Sequence, residues 1–178
     1  MSFMLLGILN SQAAGGAAGD YNLLETVSLT SSASSITFSG LGAYSDYKHL
    51  QIRYVYKPVS GNATLQGRFN SDSGSNYNNH TLYGNGSSVG SNYSASTEIY
   101  ALGYANSLTG YEGFGVIDIL DYSNASKNTT TRAAWGRTDI IRLASGLWRN
   151  TSAVTSILLN TDASTFASGS RFSLYGVK

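Results

Sequence analysis

The chain has 178 residues, with 11 basic and 10 acidic side chains, two histidines and no cysteine. A net charge of +1 supplies no basic excess to attract nucleic acid or an anionic membrane surface, so neither is an expected partner. The lack of Cys excludes disulfides, Cys-ligated zinc and thiol catalysis, and a composition with 20 Gly and only 12% charged residues excludes a coiled coil.

The chain opens on a short apolar run, Phe3, Met4, Leu5, Leu6, Ile8 and Leu9, followed by Ala- and Gly-rich sequence to Gly19. No Lys or Arg precedes Lys48, so the basic flank of a secretory signal is missing. The run is also far shorter than the roughly 20 residues needed to span a bilayer. Residues 1–20 are therefore expected to form an extended arm, with these six side chains as its partner-binding residues. Residues 21–178 are expected to form the folded domain.

From Tyr21 onward the pattern has a period of two. Val27 and Leu29 alternate with Ser28, and Ile36 and Phe38 flank Thr37. Leu50, Ile52, Tyr54 and Tyr56 alternate with Gln51, Arg53, Val55 and Lys57, and Leu65, Gly67 and Phe69 with Gln66, Arg68 and Asn70. Further strands are predicted over 99–104, 114–122, 130–137, 141–148, 154–160 and 170–177, punctuated by turn formers such as Asn85-Gly86. No stretch keeps an i, i+3, i+4 apolar stripe. An antiparallel β-sandwich or jelly roll follows. Within it, Phe114–Leu120 is apolar on both faces, as suits a strand covered by its own core on one side and by a neighbour on the other. Asp118 inside that run is expected to be buried and paired with an Arg.

Motifs for chemistry are sparse. Gly86-Ser87-Ser88-Val89-Gly90 matches a nucleophile elbow, but no helix follows it, and Ser88 reads as a turn residue. His49 and His80 are the only imidazoles. Asn70-Ser71-Asp72-Ser73-Gly74 resembles half of a calcium loop without its bidentate acid, and reads as a hydrogen-bonded turn. Asp118 and Asp121 fall on one predicted strand, and a lone strand does not show the opposed geometry that a glycosidase pair needs. No catalytic residue, metal or cofactor is expected. Tyr77, Tyr83, Tyr93, Tyr100, Tyr104 and Tyr111 crowd one loop-rich third, where tyrosines suit either core and subunit seams or a sugar- or protein-contact surface. Arg132, Arg137, Arg142 and Arg149 are expected to pair with carboxylates across a subunit seam.

The order YNLLETVSLTSSASSITFSGL, YKHLQIRY, RFNSDSGSNY, LYGNGSS and SGSRFSLYGV, from Tyr21 to Lys178, resembles a family of tailed-bacteriophage virion proteins. That resemblance implies a non-enzymatic structural protein at the surface of the phage particle. One role it implies is a capsid decoration or cement protein: a homo-oligomer, expected as a trimer, bound to the major capsid protein or another virion protein. The other is a small tail-fibre module whose Tyr- and Asn-rich loops meet a host glycan. No catalytic residue comes with it.

Overall fold

Where the sequence alternates, the chain extends, because a strand puts successive side chains on opposite faces. The computed structural model describes residues 20–178; the expected arm, with Phe3, Met4, Leu5, Leu6, Ile8 and Leu9, lies outside the described residues. Twelve strands are present: β1 (Tyr21–Ser28), β2 (Ser35–Ser39), β3 (His49–Tyr56), β4 (Asn62–Phe69), β5 (Tyr77–Gly84), β6 (Val89–Ser96), β7 (Ile99–Asn106), β8 (Gly113–Leu120), β9 (Thr129–Arg137), β10 (Ile140–Trp148), β11 (Ser156–Thr161) and β12 (Arg171–Val177). Among the described residues the only helical element is one 3-10 turn at Leu41–Tyr44. On β3, Leu50, Ile52, Tyr54 and Tyr56 are buried while Arg53 and Val55 face out, and on β4 Leu65, Gly67 and Phe69 are buried. Both outcomes match the alternation in the sequence.

All pairings are antiparallel. One sheet has eight strands in the order β1-β12-β3-β8-β9-β10-β5-β6, the other four in the order β2-β11-β4-β7. Without the hairpins β5–β6 and β9–β10, two four-stranded sheets remain, β1-β12-β3-β8 and β2-β11-β4-β7. With the hairpins set aside, the chain crosses between the sheets at every step of the order β1, β2, β3, β4, β7, β8, β11, β12 except from β4 to β7, which is the jelly-roll winding. The fold is an all-β sandwich of jelly-roll topology, as the alternation predicts. The two hairpins are insertions that lengthen one sheet beyond β8. A single core joins the layers, with Phe38, Phe69 and Leu159 from the short sheet meeting Ile52, Tyr54 and Phe172 from the long one.

The inserted hairpins need something to hold them over the edge of the short sheet. β7 supplies it. Its pairing with β4 slips between Leu65 and Gly67, and Ala101 there takes φ 57°, a left-handed conformation that L residues seldom adopt. The bulge turns two carbonyls away from the ladder, and side chains of the long sheet satisfy both. Trp135 Nε1 donates to the Ala101 carbonyl at 2.8 Å, and the Tyr54 hydroxyl to that of Leu102 at 2.5 Å. Asn79 on β5 then acts as a substitute strand: its Nδ2 donates to the Glu98 carbonyl at 3.2 Å and its Oδ1 accepts from the Tyr100 N–H at 2.9 Å. Asn79 is itself only 3% exposed. Asn79→Ala should therefore cost about 1–3 kcal/mol in urea unfolding, because it strands both backbone partners.

One expectation needs correcting. The Tyr-rich third is not loop: Tyr77, Tyr83, Tyr93, Tyr100 and Tyr104 all lie on β5, β6 and β7. β5 and β6 hang beyond the main core, so what they turn inward is mostly polar, and the apolar alternation that marks β3 is missing. β11 also starts at Ser156, two residues after the predicted start, with Val154 buried in the approach to it.

Candidate functional site

Register brings together side chains that lie far apart in the sequence. Along the outward face of the long sheet, one row runs through Val55 and Phe114 on β3 and β8, past Gly136 on β9, to Ile141 on β10, Gly84 on β5 and Val89 on β6. A second row, two residues along, runs from Val116 through Ala134 and Leu143 to Leu82. Gly136 lacks the Cβ that would meet the Phe114 ring at 3.2 Å, so the ring packs closely against the β9 backbone. The exposures are high for aliphatic and aromatic groups: Val55 41%, Phe114 55%, Leu143 56%, Leu82 61%, Ile141 66% and Val89 88%. Along the second row, on the side away from the first, lies an open trough of about 730 Å³, floored by Ala134, Leu143 and Leu82.

A polar row borders the band. Asp118, Arg132, Ser145, His80 and Tyr93 are successive register partners on β8, β9, β10, β5 and β6. The Asp118 carboxylate accepts from Gln51 Nε2 at 2.8 Å and from Arg132 at 3.3 Å. It is thus paired with an Arg as expected, but its side chain is 29% exposed rather than buried, because it points to the outer face. His80 packs on the Tyr93 ring with centroids 5.0 Å apart, and Tyr93 is 61% exposed. The band is therefore an apolar surface with one wet, charged margin.

The residues that might have carried chemistry are placed otherwise. Ser88 closes the β5–β6 turn: Asn85 Oδ1 accepts from the N–H groups of Ser87 and Ser88 and from the Ser88 hydroxyl, while Gly86 takes φ +82°. His49 Nδ1 accepts the Asp121 N–H at 2.9 Å. The Asp121 carboxylate is held below the usual carboxylate range by its hydrogen bond from Lys127. Asp72 is likewise held low, first by Trp148 Nε1 donating at 2.8 Å and then by Asn76 and the Gly74 N–H. Its carboxylate thus organises a turn. Among the described residues, no cluster of three or more His, Cys, Asp or Glu side chains could hold a metal ion. No described helix is long and apolar enough to cross a membrane.

The tyrosines divide. Tyr77 is fully buried, its hydroxyl accepts from the Phe69 N–H at 3.1 Å, and burial pushes its pKa up to about 12. Tyr104 and Tyr111 lie under the Arg137 guanidinium, at 4.5 Å and 5.3 Å. The arginines find partners inside their own chain rather than awaiting a seam. Arg132 pairs with Asp118, Arg137 with Asp139 at 2.7 Å, and Arg149 donates to the Ser75 carbonyl. Arg142 differs. It stacks between Tyr83 and Trp135 and, among the described residues, has no carboxylate.

No protein-family model and no curated protein matches the chain. Among solved structures the chain is similar to an exo-inulinase from Aspergillus awamori, at 11% identity and a TM-score of 0.41. The match takes in 89% of this chain and 29% of that one, so the chain spans under a third of the enzyme's length.

The sequence pointed to the arm and to Phe114–Leu120 as partner surfaces. It missed Leu82, Val89, Ile141 and Leu143, which belong to three different strands. Only the β10–β5 and β5–β6 registers make them neighbours.

Proposed function

We propose that this protein is a non-enzymatic structural component of a tailed-phage particle, a capsid decoration protein on the virion surface. Its copies associate with one another through the apolar band, while the N-terminal arm fastens them to the major capsid protein or another virion protein. The band is the observation that carries this reading. Six side chains, Val55, Phe114, Leu143, Leu82, Ile141 and Val89, at roughly 100 Å² of exposed surface each, present on the order of 600 Å². That is at the top of the roughly 300–600 Å² range of the largest patch on a typical monomer. It approaches the roughly 800 Å² per partner of a standard interface, so a second copy of the same face suffices as its cover. The sequence likeness to phage virion proteins supports the setting, and the use of Asp72, Asp118 and Asp121 in structural hydrogen bonds and ion pairs supports a role without catalysis.

Copy number tests the assignment. Gel densitometry of purified particles against the major coat band should give hundreds of copies per virion. A few, or a few tens, would place the protein in the tail and replace this reading with the fibre one.

A further inference from the structure

The inner side of the inserted hairpins holds a second feature, unrelated to the band. Arg142 on β10 lies in register between Trp135 on β9 and Tyr83 on β5, and its guanidinium carbon sits 5.1 Å and 5.0 Å from their ring centroids. Five other cations of the described chain have carboxylate partners: Lys57 with Glu112, Arg68 with Glu98, Lys127 with Asp121, Arg132 with Asp118 and Arg137 with Asp139. Arg142 has none. Its Nε is sealed from solvent and makes no hydrogen bond. Burial lowers its pKa, opposed by the neighbouring Tyr100 and Tyr83. Arg142 is half-buried, and hydration lost by a cation with no counter-anion is costly, so the position calls for an anion.

Beside it is a cavity of about 210 Å³, lined by Asn79, Thr81, Asn92, Ser94, Tyr100 and Arg142. Thr81 Oγ1 is a second buried polar atom without a hydrogen bond, on the same wall. Two unsatisfied groups therefore border one cavity, which has room for about seven waters at ~30 Å³ each. The walls are set in advance, because Asn79 is locked by its bonds to the edge of β7 and the Arg142 plane by its two rings. Water in the cavity would satisfy Thr81 but would leave the cation unneutralised.

We propose that this cleft binds a carboxylate-bearing sugar, with Arg142 pairing to the carboxylate and Thr81, Asn92 and Ser94 facing the ring hydroxyls. The anion is a carboxylate because the cleft holds one planar cation with no second base, which a phosphate dianion would call for. The remainder of the ligand is a sugar because the lining sets amides and hydroxyls beside Tyr93 and Tyr100, a mixture that suits a ring with polar hydroxyls and apolar C–H faces. The site is independent of the structural role, since the band lies on the opposite face of the same strands.

The test is NMR titration of the full-length protein with methyl glucuronide, and with methyl glucoside as the same ring lacking the charge. The glucuronide should shift the Asn79, Tyr100 and Arg142 amides, and the glucoside should bind at least about 10-fold more weakly. Arg142→Gln should abolish the response while leaving the urea midpoint unchanged or raised, since it removes an uncompensated charge. Thr81→Val, which keeps the side-chain shape, should weaken binding several-fold and reads the same site if Arg142→Gln folds poorly. Equal shifts with glucuronide and glucoside, a response retained in Arg142→Gln, or acetate binding as tightly as the glucuronide would each overturn the proposal. Failure here would leave the virion copy number untouched, so the two readings fall separately.

Discussion

Replacing Leu82 and Leu143 together with Lys should convert the assembled protein to monomer, raising the dissociation constant at least about 1000-fold. The two positions face each other directly across the β5–β10 pairing, at the centre of the apolar band. In the isolated chain both side chains are largely in water, 61% and 56% exposed, so the fold should lose less than about 1 kcal/mol. Across an interface the same change is severe. It removes the two central anchors and buries two like charges with no carboxylate nearer than Asp118, which Arg132 and Gln51 already engage. Val59→Lys is the control, because Val59 is 53% exposed but lies on a loop away from the band. Sedimentation velocity distinguishes the outcomes. Monomer for the double variant with unchanged assembly for Val59→Lys supports the band as the subunit seam, and unchanged assembly for both refutes it. The size of the wild-type species also distinguishes the two-fold dimer that a face-to-face band makes from the expected trimer.

How far the sequence disclosed this molecule depends on what each strand buries. β3 and β4 bury an apolar face against another sheet, so Leu50 to Tyr56 and Leu65 to Phe69 announced themselves by alternation. β5 buries Tyr77, Asn79 and Thr81, and its second inward contact is an amide bonded to the β7 edge. A hydrophobic pattern cannot report a polar anchor of that kind. The jelly-roll winding itself was legible only as a class, since nothing local records that β5–β6 and β9–β10 are insertions extending one sheet. The band was half visible, in Phe114–Leu120, because one of its strands is apolar on both faces; its other members become neighbours only through register. Arg142 was grouped with three other arginines by spacing along the chain. What separates it from Arg132 is the face it occupies, with Asp118 opposite the one and two aromatic rings beside the other.

Removing residues 1–12 should separate folding from attachment. The described chain opens on a paired strand: Tyr21 pairs with Val177, and the Lys178 N–H donates to the Asp20 carbonyl at 3.1 Å. The truncated protein should therefore unfold at the same urea midpoint and sediment as the same oligomer as the full chain. Its binding to particles lacking their own copy should weaken by at least about 100-fold, since six apolar side chains at roughly 1.5–3 kcal/mol each, less the cost of ordering the segment, leave several kcal/mol per copy. Substituting Leu5, Leu6 and Ile8 with Ser should do nearly as much, because it removes the apolar area while keeping chain length. Co-sedimentation with such particles measures both. Undiminished binding would mean that attachment comes from the sandwich itself, and an insoluble truncation would mean that the segment belongs to the core; either result removes the arm from the mechanism. Loss of binding with oligomer and stability intact assigns the two kinds of contact to two parts of the chain, the band to its own copies and the arm to the coat.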